Sequence, residues 1–379
     1  MSRTLHWQLA GFYFFYFAYI GAFAPYFSLY LQALGYSATL IGVVLAVPPA
    51  TRIFAPYLWG HLADRRGRRV AIVWRTGLVG TLAYLGVFVS ATPAWLLVCM
   101  ALWCFFWSAA LPLMEATTLD HLGGRAGNYG RIRLWGSVGF IAAVMGVGWI
   151  LDRVEITALL WIVGGTLIGI LACVWRLPDA GHDPAGRGDS GIARVLRRPE
   201  VIALIAASML MALAHGPYYT FFSIYLVGQG YSKTAVGWLW AIGVMAEIAV
   251  FAALPWLYRA FSAQTLLVAA FALTVLRFLL IAWASHITVL LLFAQVLHAA
   301  SFGVFHSAAL VTIHRLFAGG SRARGQAVYS SLSFGLGGML GGLGSGLAWE
   351  RVGAAATFSA AAGCALLGLV LIAVAPARK

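Results

Sequence analysis

Ionisable side chains inside long apolar stretches are the residues of this sequence that could do chemistry. A charge at the centre of a bilayer costs roughly 3 kcal/mol, so such side chains usually mark the path of a solute or a proton. They are Arg52, Glu115, Arg133, His215, Glu247, Arg277, His298 and His306. A structural ion pair stays open as the alternative for Arg52, and a hydrogen-bonded core position for His306.

The spacing of two of these residues predicts a pair. Glu115 and Arg133 stand nine residues before and nine residues after Gly124, the middle of the segment that connects their apolar stretches. Antiparallel helices rise equally per residue, so the two side chains should lie at similar depth. We expect them to contact each other.

A second group is predicted in the later part of the chain. Glu247 and Arg277 flank a helical hairpin in a similar but less symmetrical way, and Arg277 and His298 flank the segment near His286. The spacing therefore predicts one layer that holds Glu247, Arg277 and His298 near the bilayer centre.

Long apolar elements must position these residues. The 379 residues are 62% hydrophobic and only 9% charged, whereas soluble domains carry about 25% charged residues. Stretches long enough to cross a hydrocarbon core recur along the whole chain, which predicts an all-α membrane protein. We place spans at 8–33, 39–61, 71–91, 94–119, 130–151, 156–176, 200–227, 234–257, 264–284, 287–316, 325–349 and 354–375.

Neither a removed leader nor a metal site is expected. The first stretch is too long and aromatic for a signal peptide and has no small-residue cleavage site. The four cysteines lie in apolar stretches without paired spacing, which is typical of small core residues. We expect no cofactor. We also expect no enzymatic activity, because the sequence shows no group of catalytic residues near a membrane interface.

The net charge of +14 follows the predicted topology. Arginine and lysine accumulate in cytoplasmic connections, so their placement predicts an inner-membrane protein with both termini cytoplasmic and no nucleic-acid partner. One set of connections holds Arg65, Arg66, Arg68, Arg69, Arg125, Arg187, Arg194, Arg197, Arg198, Arg259, Arg322 and Arg324. The opposite set holds Arg153, Lys233 and Arg351.

The two halves of the chain repeat each other. The stretch Phe27–Gly42 aligns without a gap with Phe222–Gly237, at a constant offset of 195, and nine of the sixteen positions are identical. Each copy contains a Gly-Tyr-Ser turn. The polar segment 177–199 reads as a cytoplasmic linker between six-helix bundles at 1–176 and 200–379. Such a repeat predicts a transporter with its solute site between the two bundles.

A short basic segment follows the second span. It fits the pattern G-x-x-x-D-R-x-G-R-R. We expect the residues at the fixed positions of this pattern to act in conformational gating; they are Gly60, Asp64, Arg65, Gly67, Arg68 and Arg69. Its glycines permit a tight turn, Asp64 can cap a neighbouring helix, and the arginines face acidic headgroups. The alternative is that any short inner loop is basic. The corresponding segment of the second half, 258–261, lacks the pattern.

The sequence resembles those of the major facilitators, in particular the lactose permease branch and its 3-phenylpropionic acid transporter group. The resemblance runs from Trp7 to Ala375 and is carried by the basic segment, by 11–31, by 128–139 and by 295–302. It implies proton symport. It places the carboxylate–arginine pair that grips the solute on Glu115 and Arg133, and the proton-linked groups on Arg277, His298 and Glu247.

The departures from lactose permease argue against lactose as the solute. Ser301 stands where that permease has its proton-carrying glutamate, Gln295 stands in place of a lysine, and its two seventh-helix aspartates are missing around 218–223. Phe140 replaces the aromatic platform under the sugar, and Val250 replaces its asparagine neighbour. The run 214–219, with His215 and Tyr218, resembles the phenylpropionate group instead.

The expected function is uptake of a small organic solute with a proton by a monomer. Glu115, Arg133, His215, Tyr218 and Phe140 would contact the solute, whereas Glu247, Arg277 and His298 would couple the proton. An aromatic carboxylate such as 3-phenylpropionate is one candidate solute, and a sugar, an oligosaccharide or a nucleoside is another. A drug/proton antiporter is disfavoured because 136–151 lacks the Gly-Pro signature of such exporters.

The charge bias predicts the result of reporter fusions. A reporter that is active only in the cytoplasm should be active after Lys379 and within 183–187, and inactive near Lys233, because the positive connections remain inside. Activity in cells carrying each fusion measures this. The reverse pattern would overturn the topology.

Overall fold

The computed structural model describes residues 2–123, 129–179, 192–317 and 321–374, and these ranges are helical without any strand. The first half contains α1 (Arg3–Ala33), α2 (Ala38–Arg52), α3 (Ala55–Arg66), α4 (Arg69–Leu85), α5 (Pro93–Trp107), α6 (Ala110–Leu122), α7 (Tyr129–Leu151) and α8 (Ala158–Val174). A short 3₁₀ turn, Gly86–Phe88, extends α4.

The second half begins with the five-residue helix α9 (Ile192–Leu196). It continues with α10 (Pro199–Ala214), α11 (Gly216–Gly228), α12 (Lys233–Ala260), α13 (Ala263–Ala284), α14 (Thr288–Val296), α15 (Phe305–Leu316), α16 (Arg322–Ser330) and α17 (Gly338–Val374). Two π-helical segments, Ala299–Val304 and Ser331–Gly337, connect α14 to α15 and α16 to α17.

Several spans consist of two helices because proline interrupts them. Pro48 and Pro49 lie near the end of α2, and Pro217 lies at the start of α11; proline removes a backbone donor and bends or breaks a helix. Gly353, with φ of 79°, separates two spans inside α17.

Ten apolar segments have at least 18 residues, one of them Arg324–Val374 with its kink, and α8 is a shorter apolar helix of 17 residues. Counting the kinked segment as two spans, the described residues contain the twelve expected spans. The all-α prediction is confirmed.

The described residues form two compact units. The first holds those of Met1–Tyr36, Thr51–Ala185 and Tyr231–Trp238, and its helix α1 packs against α7 and α8. The second holds those of Ser37–Ala50, Gly186–Gly230 and Leu239–Lys379, and α10 and α13 pack against α17 there. The division at 177–199 stays a prediction, and 180–191 of that linker lie outside the described residues.

The two Gly-Tyr-Ser turns have the same backbone conformation. Gly35 has φ of 80° and Gly230 has φ of 92°, a backbone region that residues with a Cβ rarely adopt. The repeat seen in the sequence is therefore also a repeat of local structure.

Glycines bring α1 and α7 into backbone contact. A Cβ on Gly21 would lie 2.6 Å from the carbonyl oxygen of Phe140, and a Cβ on Gly139 would overlap the carbonyl oxygen of Phe14. This close approach places α7, which carries Arg133, directly against α1.

Gly139→Ala should therefore destabilise the protein. The added methyl group meets backbone, which cannot rotate away, so a loss of about 1–3 kcal/mol and a fall in Tm of at least about 3 °C are expected. Gly146→Ala on the same helix is the control, because a Cβ there has open space and alanine favours helix by about 1 kcal/mol. Thermal unfolding in detergent measures both, and equal Tm values would contradict the packing.

Candidate functional site

The first unit brings Glu115 and Arg133 together, one from α6 and one from α7. The Arg133 Nε atom lies 3.7 Å from Glu115 Oε1, and the side chains are 31% and 38% exposed, Arg133 being the less exposed. This is an ion pair longer than a hydrogen bond. The predicted contact is present, whereas its role in solute binding stays a prediction.

Aromatic rings of α1 position the guanidinium. The Arg133 Cζ atom lies 4.0 Å from the centre of the Phe17 ring and 5.7 Å from that of Tyr13. Tyr13 is itself fixed by a hydrogen bond of 3.1 Å between its hydroxyl group and that of Thr118. Stacking on a ring orients the flat face of a guanidinium and leaves its edge for hydrogen bonds.

Further rings continue this aromatic packing along α1, where Tyr16, Tyr19 and Trp107 are buried. Tyr16 stacks on Trp107 at 5.5 Å between ring centres, and Tyr19 packs edge-on against the same indole at 5.0 Å. Phe140, a predicted solute contact, is buried in α7. A direct contact between Phe140 and a solute stays a prediction.

The second unit contains a buried polar cluster. His298 Nε2 lies 2.7 Å from Glu247 Oε1, which joins α12 to the residue before the π-helical segment Ala299–Val304. A Cβ on Gly243 would lie 3.1 Å from the ring of His298. The absence of a side chain at Gly243 thus leaves room for the imidazole.

Arg277 of α13 is fully buried in the same unit. Its Nε donates to the carbonyl oxygen of Ala294 at 3.1 Å, and its Nη1 donates to Ser301 Oγ at 3.0 Å. The sequence predicted one layer of Glu247, Arg277 and His298, and within the described residues the structure pairs Glu247 with His298. The reason is that α14 and the π-helical segment, which supply Ala294 and Ser301, hold the guanidinium with neutral oxygens.

Two predicted solute contacts support Arg277 instead of lining open space. The centre of the Tyr218 ring lies 4.2 Å from the guanidinium carbon, and His215 Nε2 lies 3.4 Å from Nη1. Both side chains are buried. Their contact with a solute stays a prediction.

Gln295 and Ser301 are cluster residues that the sequence showed only as lost charges. The hydroxyl of Tyr218 donates to Gln295 Oε1 at 3.0 Å, and Ser301 accepts from Arg277. Their spacing of three residues on either side of His298 is a helical signal that could have identified them.

Two other ionisable residues have different surroundings. His306 lies between the rings of Phe302 and Phe334, and its Nδ1 has no hydrogen-bond partner in the part of the chain that the structure describes. Arg52 is exposed at the end of α2. Stacking rather than a hydrogen bond from Nδ1 therefore holds the His306 ring.

The basic segment after the second span forms a network around Arg69. Arg69 contacts Asp64 at 3.7 Å and forms a shorter ion pair with Asp120 at the end of α6. The side chain of Asp64 is 62% exposed. In the first turn of α4, the backbone N–H of Val70 donates to the carboxylate of Asp179 at 2.6 Å. Gly67, with φ of 62°, ends α3. Gating by this segment, including Gly60, Arg65 and Arg68, stays a prediction.

Comparison with known proteins identifies the family. The sequence model of the MFS_1 like family matches residues 6–360. The chain belongs to the MFS_1 like family. The resemblance to major facilitator transporters is thereby confirmed.

Bacterial transporters resemble this family member along most of their length. The "Probable 3-phenylpropionic acid transporter" of Escherichia coli (strain K12) is 29% identical, with 88% of each chain covered. The "Maltose permease" of Geobacillus stearothermophilus is 27% identical over 98% of this chain and 96% of its own.

Solved structures agree on the fold. The nucleoside transporter NupG has a TM-score of 0.85 at 18% identity and covers 99% of this chain and 100% of its own. A mutant of the peptide transporter POT has a TM-score of 0.75 at 16% identity, covering 98% of this chain and 93% of its own. The chain is a multi-pass membrane transporter with the major facilitator fold.

Glu115 and Arg133 should act as a unit in solute binding. Removal of one partner takes away one side of the proposed binding contact and leaves the other charge unpaired, so Glu115→Ala and Arg133→Ala should each lower binding at least about tenfold. The double variant should be no weaker than either single one. Solute-dependent thermal stabilisation, with the solute found by the counterflow screen described below, measures binding.

Arg131→Ala is the matched control, because Arg131 is an exposed arginine near Arg133 on α7. Its binding should stay within about twofold of wild type, since an exposed charge contributes little. Additive losses for Glu115 and Arg133 would show that they act independently.

Proposed function

We propose that this transporter is a secondary symporter of the inner membrane that takes up a small organic solute together with a proton. The observation that carries the proposal is the buried contact of 2.7 Å between His298 and Glu247. A carboxylate and an imidazole at this distance can hold one shared proton, and a buried carboxylate gains or loses its proton as its hydrogen-bond partners change.

Arg277 supports this assignment because its position is fixed. It keeps a positive charge inside the second unit through hydrogen bonds to Ala294 and Ser301. Removal of the proton from the neighbouring pair leaves a negative carboxylate, which a nearby permanent cation stabilises. Glu247 is therefore our proposed carrier, with His298 and Arg277 as its coupling partners.

The solute is proposed to contact Arg133 in the first unit. The guanidinium is oriented by Phe17, whose ring packs edge-on against that of Tyr16. An aromatic carboxylate could place its ring beside Phe17 and its charge on the guanidinium. The likeness to the 3-phenylpropionic acid transporter supports this class.

Glu115 favours a second class of solute. Its carboxylate lies 3.7 Å from Arg133 and would repel a solute anion, whereas a carboxylate beside a guanidinium binds hydroxyl groups well. The likeness to the maltose permease supports a sugar, and a nucleoside presents similar hydroxyl groups. Counterflow in proteoliposomes with 3-phenylpropionate, maltose and uridine separates the classes, because only a transported solute exchanges with its labelled form.

Glu247→Gln tests the proton carrier. The amide mimics a permanently protonated carboxylate, so the variant should exchange solute at a rate within about threefold of wild type. It should lose accumulation driven by a pH gradient, because no proton can leave. Uptake of the labelled solute into proteoliposomes, with and without an imposed gradient, measures both activities.

Glu155→Gln in an exposed loop is the control and should accumulate solute as wild type does. Accumulation by Glu247→Gln would move the proton to another group, with His298 the next candidate. A wild-type protein that ignores the pH gradient would replace symport by facilitated diffusion.

A further inference from the structure

A carboxylate caps the helix that follows the second Gly-Tyr-Ser turn. Asp152, directly after α7, accepts the backbone N–H of Lys233 through Oδ1 and that of Thr234 through Oδ2, each at 2.8 Å. The Thr234 hydroxyl donates to the same carboxylate. These residues belong to the first unit.

The first Gly-Tyr-Ser turn has the equivalent contact in the second unit. Glu350 of α17 accepts the backbone N–H of Thr39 at 2.9 Å through Oε2. Thr39 and Thr234 occupy the same position of the internal repeat, at the offset of 195. The structure thus builds the same device twice, with an aspartate in one copy and a glutamate in the other.

The two carboxylates complete caps that the turns begin. Ser37 Oγ accepts from Leu40 N–H at 3.3 Å, and Ser232 Oγ accepts from Ala235 N–H at 3.1 Å. A helix start has four N–H groups without a helical partner and a partial positive charge. The carboxylates of Asp152 and Glu350 accept hydrogen bonds from N–H groups that the serines do not bind. Each also places a negative charge at a helix start, where it is favourable.

The charge of Asp152 persists at neutral pH. Partial burial alone would raise the pKa of Asp152, but hydrogen bonds from Thr234 and Lys233 outweigh burial and hold the pKa below its usual value. The cap is therefore not a pH switch in the range in which transport is measured.

Close backbone packing lies beneath each cap. A Cβ on Gly237 would lie 2.5 Å from the carbonyl oxygen of Val144 in α7, and a Cβ on Gly42 would lie 2.7 Å from that of Gly342 in α17. Gly42 and Gly237 are again equivalent positions of the repeat. Each capped segment is therefore seated by a glycine contact with the helix that supplies its carboxylate.

We propose that Asp152 and Glu350 are paired latches. Asp152 holds residues 231–238 in the first unit, and Glu350 holds residues 37–50 in the second. Both latches release when the transporter opens on the membrane side that carries the Gly-Tyr-Ser turns. Asp152 is separated from Thr234 by 82 residues, and Glu350 from Thr39 by 311. A cap supplied from so far along the chain ties two helices together, whereas a local cap stabilises only its own helix. The latch needs no solute and no proton, so it stands or falls separately from the symport proposal.

Paired cysteine reporters test the latches in the full-length protein. Ile41→Cys and Val236→Cys occupy equivalent positions two residues after the capped threonines, and the native side chains are 2% and 0% exposed. The background carries alanine at the four native cysteines. The rate of alkylation by a membrane-impermeant maleimide is measured in right-side-out and inverted vesicles.

Asp152→Ala or Glu350→Ala should raise alkylation at both reporters about fivefold, and the double variant about thirtyfold, because one cap contributes about 1 kcal/mol and both act on one equilibrium. Asp152→Asn and Glu350→Gln keep an acceptor and should give smaller rises, about twofold. They carry the test if the alanine variants fail to fold.

Glu155→Ala, three residues after Asp152 in the same loop, is the matched control and should change neither rate. A rise confined to the reporter beside the removed cap would show a local helix cap and overturn the latch, as would unchanged rates in the double variant. A rise at both reporters supports the latch in either type of vesicle. Which type of vesicle shows the rise is a separate test of the topology predicted from charge.

Discussion

A guanidinium without exposed surface must find its hydrogen-bond partners within the protein, and Arg277 sets this requirement for the second unit. Its Nε and Nη1 atoms find partners, whereas Nη2 has none among the described residues. Its partners come from three elements: α10 ends at His215, α14 supplies Ala294, and the π-helical segment supplies Ser301. Tyr218 of α11 covers its face. The end of α14 has a role in this arrangement, because Ala294 lies in its last turn, where helix carbonyl oxygens lack a helical partner.

That arrangement also explains why Glu247 pairs with a histidine. Because neutral oxygens hold Arg277, the carboxylate remains with His298. An arginine–glutamate ion pair would hold the carboxylate permanently ionised. A glutamate with an imidazole partner can change its protonation state instead. Neutral support of one residue thus leaves another able to titrate.

Much of the architecture could be predicted because a bilayer imposes simple rules. Twelve apolar stretches, the repeat at an offset of 195 and the equal rise of antiparallel helices sufficed for the spans and for the contact between Glu115 and Arg133. Which residue of the predicted layer contacts Glu247 could not be predicted, since equal depth says nothing about how each helix is rotated about its own axis. The caps by Asp152 and Glu350 were also missed. They lie at span ends, where sequence pattern carries no information about distant contacts.

The π-helical segment Ala299–Val304 has a mechanical consequence. It holds about one more residue per turn than an α-helix. Its conversion to α-helical geometry would rotate α15 about the helix axis by about 100°, the angle of one residue. His306, which lies beyond the segment, would turn with α15, while His298, which precedes it, would keep its place. The helix therefore contains a torsional joint, placed one residue after the imidazole that contacts Glu247.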